Sequence, residues 1–418
     1  MNIPAQMDPE QARFLENPNL QKIFDLIEKA GGQVRVNGGA VRNALLGEPV
    51  NEVDLSTDLL PEQVSEQVSS SGLQVIPTGI DHGTVTAISG KEPFEITTLR
   101  EDIETDGRWA KVRFGTDWKA DAMRRDFTVN ALYCDRDGTL YDPLDGYGDL
   151  AARIIRFIGD PDQRIAEDRL RILRFFRFFA WYGSDRPDPE SLKACVRHRD
   201  GLDGLSVERI WREFKKLLSA PDPVKSILWM RTTKILTIIV PETEKWGIDL
   251  LPPLVTVRKQ AGEPIDPILR LMSIIPPQLD RVQELATRLK LSNDETARLT
   301  AWAGQADLPP GITEDDLATL MYQADSRTIQ DKLWLQKAKQ AAKVEESADT
   351  DKLIAFAKDW KRPELPVQGR DLIKLGYSTG PEIGKALLQL EQAWIASNFS
   401  LQKPELIELA GKNSDDIA

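Results

Sequence analysis

Two adjacent glycines, Gly38 and Gly39, end a β-like run and open a helix-like one, and an acidic alternation follows ten residues after that segment. The stretch reads Val36-Asn37-Gly38-Gly39-Ala40-Val41-Arg42, then Glu52-Val53-Asp54-Leu55-Ser56-Thr57. Residues 33–36 are β-forming, and paired glycines let the backbone turn tightly into a helix over residues 40–46, whose free N–H groups favour phosphate. Arg42 falls in the first turn, placed to reach a triphosphate oxygen. On a strand, Glu52 and Asp54 project to one face while Val53 and Leu55 enter the core. Carboxylates so spaced suit Mg²⁺ ions that hold the attacking and leaving oxygens of an in-line phosphoryl displacement. Either half alone is unspecific, since Gly-Gly before a helix is commonly a turn and E-x-D commonly a solvated strand face.

Composition removes several other chemistries. With only His82 and His198, a histidine-rich metal site or a Ser-His-Asp triad has almost no material. His82-Gly83 reads as a turn. Cys134 and Cys195 are too few for a disulfide framework and wrongly spaced for zinc, and read as reduced, buried small residues. No apolar stretch approaches the ~18–20 residues of a membrane span, and the first residues show no secretory pattern, so a cytoplasmic protein is expected. A net charge of −12 argues against a generally basic nucleic-acid binder. It leaves room for a local one, because affinity depends on the few basic residues that meet phosphates. Such clusters occur at Arg124-Arg125 and at residues 169–177, 209–216 and 332–343. The last reads as an exposed helical face with Trp334 and Leu335 inward, a possible contact for an RNA backbone.

At 418 residues with 41% hydrophobic content, the chain is long enough for two or more cores. Residues 22–148 alternate helix- and strand-like patterns, including β-forming runs at residues 83–89 and 94–98. Within the second, Glu95 faces away from Phe94 and Ile96, which makes it a candidate third active-site carboxylate; the plain alternative is a strand-surface charge. Residues 100–122 turn polar, with Trp109 and Trp118 isolated, and read as a surface loop or hairpin. After residue 151 the pattern is helical nearly throughout. Ser292-Asn293-Asp294-Glu295 has the form of a capping box, and Pro-Gly-rich stretches at residues 307–313 and 363–369 look like boundaries. No long repeat or low-complexity tract is present.

Further motifs follow in order: Ala122-Met123-Arg124-Arg125-Asp126-Phe127-Thr128-Val129-Asn130-Ala131-Leu132, Tyr141-Asp142-Pro143, Glu167-Asp168-Arg169-Leu170-Arg171-Ile172-Leu173-Arg174, and Glu208-Arg209-Ile210-Trp211-Arg212-Glu213-Phe214. With these in place the chain resembles the class II tRNA nucleotidyltransferases, or CCA-adding enzymes, and the bacterial poly(A) polymerases. The resemblance is dense over residues 36–214 and looser beyond, although residues 369–394 look like the tail of longer bacterial members.

That resemblance implies an α+β chain: a polymerase-β-like nucleotidyltransferase head at residues 1–150, then an all-α neck (151–220), body (221–308) and tail (309–418), the last contacting RNA. It implies addition of C and A to the tRNA 3′ end from CTP and ATP, without a nucleic-acid template and with Mg²⁺. Glu52 and Asp54 would hold metal, with Glu95 as a third catalytic carboxylate. Gly38, Gly39, Arg42 and Arg125 would bind the nucleotide. Asp168, Arg171, Arg174 and Arg177 recur every third residue on what reads as one helix; by themselves they are a solvated basic edge. In the family setting, Asp168 accepts from the exocyclic amine of C or A while Arg171 donates to the ring, a pair that selects those bases. Arg174 and Arg177 point on toward triphosphate or primer. Asn130 would organise the strand end that follows it, and Asp126 caps a helix or pairs with an arginine as readily as it binds metal.

Three departures stand out. Asn43 replaces the family's frequent Asp, Glu52 replaces the first metal-binding Asp, and Asp106-Gly107-Arg108-Trp109-Ala110 carries Trp109 where the family's flexible element commonly has His. The competing readings are a poly(A) polymerase, a partial CC- or A-adding enzyme, or a non-catalytic RNA-binding module; the retained glycines, carboxylates and Asp168/Arg171 pair weigh against the last.

Overall fold

The computed structural model describes residues 3–106, 109–343 and 348–414. The chain divides into two compact units, Met1–Pro241 and Glu242–Ala418, and the architecture is α+β.

The first unit is built on a seven-stranded sheet. In chain order its strands are β1 (Val34–Asn37), β2 (Asp54–Thr57), β3 (Gln74–Gly79), β4 (Thr84–Ser89) and β5 (Glu92–Thr98), then, after a separate hairpin of β6 (Arg100–Asp106) and β7 (Trp109–Phe114), β8 (Tyr133–Cys134) and β9 (Leu140–Tyr141). The spatial order is β3-β4-β5-β2-β1-β8-β9. Only β2 and β5 run parallel; the other pairs are antiparallel. One face is closed by helices α1 (Pro18–Lys29) and α3 (Pro61–Ser70). Leu20, Ile23, Phe24 and Ile27 of α1 recur at helical spacing and are fully buried against it. Between them in sequence, α2 (Gly39–Leu46) leaves β1 directly.

Strand alternation then decides which side chains remain outside. In β5, Phe94 and Ile96 are buried and Glu95 is exposed, as the sequence pattern predicts. In β2 the strand itself begins only at Asp54, which is exposed, and the three residues after it are buried. Glu52 lies outside the strand, in the exposed connection after α2, so the expected strand alternation of Glu52 with Asp54 is corrected. Of the two readings of the polar segment 100–122, loop or hairpin, the hairpin is the one observed, as β6–β7, and it is followed by α4 (Trp118–Met123). Trp118 is buried against Leu99, Ala131 and Tyr133. Gly107 and Arg108, and with them the centre of the D-G-R-W-A element, lie outside the described residues.

Helices α5 (Gly146–Ala151), α6 (Pro161–Glu167), α7 (Leu170–Tyr182), α8 (Pro189–His198), α9 (Val207–Leu218), α10 (Val224–Thr232) and α11 (Ile235–Ile239) complete this unit. Helix α7 buries Leu170, Ile172, Leu173, Phe175, Phe176, Phe178 and Phe179. An aromatic cluster fixes it to the segment after α4, with Phe127 centroids 4.9 Å from Phe157 and 5.0 Å from Phe178. The helical period expected from residue 168 is corrected at its first member. Asp168 has extended backbone and precedes α7, and its carboxylate accepts from the Leu170 amide at 3.0 Å.

Among the described residues of the second unit, the regular elements are all helices, from Leu251–Gln260 to Lys403–Ser414. Its Asn293–Gly304 helix opens with the expected capping box: the Glu295 amide donates to Ser292 Oγ, and the Ser292 amide to Glu295 Oε2. The basic face expected at residues 332–343 is corrected. Lys332 is buried and bonded to Asp307 at 3.0 Å, Lys339 reaches the same carboxylate at 2.9 Å, and Lys337 pairs with Asp351. Trp334 and Leu335 do face inward.

Candidate active site

The turn between β1 and α2 has a conformation that only glycine adopts without strain. Gly38 sits at φ +60, ψ −112, and a Cβ there would stand 3.2 Å from Arg125 Nη1. The first helical bond, Arg42 N–H to Gly38 O at 3.0 Å, leaves the amides of the first turn without intrahelical acceptors, which is the geometry that receives phosphate oxygens.

Directly under this turn lies Arg125. Its Nη1 donates to Asn37 Oδ1 at 3.0 Å, its Nη2 to Asp121 Oδ2 at 3.1 Å, and its Nε to the Tyr133 hydroxyl at 3.2 Å. Burial works against the guanidinium charge, but Tyr133 and Asp121 outweigh it and hold the Arg125 pKa above the usual value. Burial likewise opposes the Asp121 charge, yet Arg124 and Arg125 pull its pKa down to about 2. Asn37 in turn donates to Ser56 Oγ on β2 at 2.8 Å. Arg125 is therefore locked into the floor of the site, tying β1, β2 and α4 together.

Beside the turn, Asp54 and Glu95 stand opposite each other in the parallel β2–β5 register, both on the exposed side of the sheet. Burial raises the Asp54 pKa; the neighbouring Glu95 and Glu52 raise it further, while Arg125 opposes. Three negative groups thus share one potential although Glu52 approaches from a connection and not from a strand. Among the described residues no preassembled group of three His, Cys, Asp or Glu side chains has the spacing of a metal site. Two facing carboxylates suit Mg²⁺, which is commonly held by one or two carboxylates and completes its shell with water and substrate phosphate oxygens.

Arg42 is buried, its Nη2 3.7 Å from where a Cβ on Gly39 would stand, and its guanidinium is held by side chains of other elements. Its Nη1 donates to Asn130 Oδ1 at 2.5 Å and its Nη2 to the Tyr182 hydroxyl at 2.7 Å. Asn43, the residue in place of the family's Asp, accepts from Arg42 Nη2 at 2.9 Å and anchors itself to the Pro49 carbonyl. Burial lowers the Arg42 pKa, with Tyr182 opposing. Asn130 also donates to Asp126 Oδ1 at 2.9 Å, and Asp126 Oδ2 accepts from Arg174 Nε at 2.7 Å. Asp126 is thus the partner of an arginine, one of the roles the sequence left open.

The α7 residues are equally engaged. Asp168 Oδ2 accepts from Arg209 Nη2 at 2.6 Å. Arg171 donates to the Arg164 carbonyl at 2.8 Å and pairs with Glu167. Arg177 forms an ion pair with the buried Glu213 at 2.6 Å, and Arg174 approaches the same carboxylate at 4.0 Å. Asp168 and Arg171 both sit at the start of α7, whereas Arg174 and Arg177 serve ion pairs along it.

Sequence reasoning missed Asn37, Ser56, Asp121, Tyr133, Glu167, Arg209 and Tyr182. Glu167 carried a signal, because it lies four residues before Arg171, the spacing of a helical ion pair. Tyr182 lies four residues after Phe178, on the face of α7 that meets Arg42, and nothing local marks it.

Comparison with known proteins bears on this arrangement. Residues 34–156 match the family model described as "Poly A polymerase head domain", and residues 186–246 that of "Probable RNA and SrmB- binding site of polymerase A". The chain is 35% identical to the mitochondrial CCA tRNA nucleotidyltransferase 1 of Homo sapiens, over 97% of this chain and 95% of that protein. It is 30% identical to the CCA-adding enzyme of Levilactobacillus brevis, over 92% and 95% of the two chains. The crystal structure of the Bacillus stearothermophilus CCA-adding enzyme in complex with CTP superposes with a TM-score of 0.71 at 25% identity, covering 98% of this chain and 99% of that one.

Proposed function

The chain belongs to the family of CCA-adding enzymes and poly(A) polymerases, and from that premise we propose that it adds C and A nucleotides to the 3′ end of tRNA, using CTP and ATP and no nucleic-acid template. The observation that carries the reading is the Asp54–Glu95 pair beside the Gly38–Gly39 turn, within the same compact unit as Asp168 and Arg171.

The carboxylate donors of Asp54 and Glu95, with Glu52 alongside, fit Mg²⁺. When bound there, Mg²⁺ supplies activation of the primer 3′-hydroxyl and neutralisation of the leaving pyrophosphate. The first-turn amides of α2 receive the triphosphate, and Gly38 keeps the backbone close enough to do so. Arg125 holds the floor under that turn, so its contribution is to shape and charge the cradle. Asp168 accepts from the exocyclic amine that C and A share, and Arg171 donates to the ring, which excludes G and U. Arg209 and Glu167 hold these two side chains at the start of α7 while carboxylate lone pairs and guanidinium N–H groups remain for the base. Arg174 and Arg177 brace α7 through Asp126 and Glu213.

The four-part division into head, neck, body and tail assigns the chemistry to residues 1–220 and RNA contact to the tail, residues 309–418. Family resemblance at residues 369–394 supports the tail assignment. Among the described residues no helix is long and apolar enough to cross a membrane. The two buried, unbridged cysteines fit a reducing compartment.

The test is incubation with tRNA substrates ending before the first C of the terminus, after the first C, and after the second, followed by sequencing of the products. Addition of the missing residues to a complete CCA end on all three is the expected outcome. Long A tracts would identify a poly(A) polymerase, and activity on only one or two substrates a partial enzyme. No incorporation by folded protein supplied with Mg²⁺ would overturn the reading.

A further inference from the structure

Arg42 and Tyr182 lie 140 residues apart in sequence and touch in two ways. The hydroxyl accepts from Arg42 Nη2 at 2.7 Å, and the guanidinium carbon stands 4.0 Å from the tyrosine ring centroid. Arg42 is one turn into α2, whose start forms the Gly38–Gly39 turn; Tyr182 is the last residue of α7, whose start carries Arg171 and lies two residues after Asp168. A second connection runs from Arg42 through Asn130 and Asp126 to Arg174, midway along α7. Both connections start from the one Arg42 side chain of α2 and reach α7 at two points, Tyr182 at its end and Arg174 midway, so α7 cannot pivot about either.

The chemistry requires such a fixture. A base edge is read at Asp168 and Arg171 only if the triphosphate is seated at a set distance from them, because the nucleotide is one rigid-jointed object held at both ends. A displacement of about 1 Å between the two ends is enough to misplace reacting or recognising groups. We propose that Tyr182 is a positioning and specificity-determining residue: acting through Arg42, it fixes the phosphate-binding turn relative to the base-reading start of α7. Among the described residues Tyr182 makes no hydrogen bond to the phosphate turn or to the base-reading pair. The inference rests on the nucleotidyl-transfer reading given above.

Tyr182→Phe keeps the ring over Arg42 and removes only the hydroxyl; Tyr182→Ala removes both. The measurement is single-turnover incorporation of CTP, ATP, UTP and GTP on tRNA, giving KM and the maximal rate for each, with Tm followed in parallel. Tyr182→Phe is expected to melt near the wild-type temperature and to lose discrimination against UTP by roughly tenfold, the scale of one hydrogen bond to a charged group. Tyr182→Ala is expected to lose more. Arg42→Lys combined with Tyr182→Phe should add little to Arg42→Lys alone, since both changes sever the same contact.

Wild-type discrimination and KM in a folded Tyr182→Phe protein, or effects of the two changes that simply multiply, would overturn the proposal. A fall in Tm with unchanged nucleotide preference would do the same, by reducing Tyr182 to a packing role. If Tyr182→Ala fails to fold, Tyr182→Phe and the double variant decide the matter. Absence of CTP incorporation by the wild-type protein would instead overturn the underlying functional reading, and this inference with it.

Discussion

Asp54 and Glu95 occupy directly opposed positions on the one parallel strand pair of the sheet, so two like charges are held side by side by backbone register. Burial raises the Asp54 pKa, and repulsion from Glu95 raises it further. Ionised Asp54 is consequently a liability to the fold that a bound cation would relieve.

Asp54→Asn should therefore separate stability from function. A carboxyl whose folded pKa lies above its unfolded value takes stability away as pH rises through that interval, so removing the charge should leave Tm at neutral pH unchanged or higher. Turnover should vanish, because the charge is missing where phosphate charge accumulates. Thermal melts and nucleotide incorporation on the same preparation check both halves. Substantial Mg²⁺-dependent incorporation by Asp54→Asn would remove this pair from the site.

Gly38→Ala should damage the turn itself. Its φ of +60 with ψ of −112 lies outside the regions open to a residue with a Cβ, and Arg125 leaves little room behind it. Strain of ~1–3 kcal/mol is expected, with a weakened grip on every nucleotide alike. Denaturant unfolding reports the first effect, and KM for CTP and ATP the second. Gly39→Ala, at a helical position with its nearest neighbour 3.7 Å away, should cost far less.

Asp121 supplies a pH-dependent prediction of opposite sign. Its folded pKa is held at about 2, below the unfolded value of 3.8, so its stabilising contribution is complete above roughly pH 4 and is lost as pH falls toward 2. At neutral pH this amounts to about 2 kcal/mol. The stability gap between wild type and Asp121→Asn, measured by urea unfolding at a series of pH values, should close over that interval. A gap that stays constant down to pH 2 would show that Asp121 acts through packing and not through Arg124 and Arg125.

The legible and illegible parts of this protein differ in the range of the interactions that set them. Alternation around Phe94, Glu95 and Ile96 and the Ser292–Glu295 capping box are local patterns, and both appear as written. Glu52 read as a strand residue because alternation continues back through it, yet the ladder begins only where Asp54 meets Glu95. The polar segment 100–122 reads as a loop or a hairpin alike, because a two-stranded ribbon outside the main sheet needs no apolar alternation. Asp168 fits the three-residue period of α7 but spends its carboxylate on the Leu170 amide and on Arg209. Arg42 and Lys332 read as exposed cations. Each is buried because its partners, Asn130 and Tyr182 for one and Asp307 for the other, come from distant sequence.

Asp168, Arg171 and Arg174 give the prediction that most directly tests template-free selection. Asp168→Ala removes the acceptor that requires an exocyclic amine, so discrimination against UTP and GTP should relax while the rate falls. One selective polar contact is worth on the order of 1–3 kcal/mol, and the loss here also frees Arg209 from its partner. Arg171→Ala should weaken CTP and ATP use together. Arg174→Ala should act differently, because Arg174 neutralises the buried Asp126 at 2.7 Å and braces α7 from the side. It should lower Tm and reduce use of all nucleotides about equally, leaving their ratio intact. Single-turnover incorporation of the four nucleotides by the three folded variants distinguishes these outcomes. Unchanged C and A preference in both Asp168→Ala and Arg171→Ala would return the start of α7 to a purely structural role, with Asp168 as a helix cap and Arg171 as one half of a partly buried pair with Glu167.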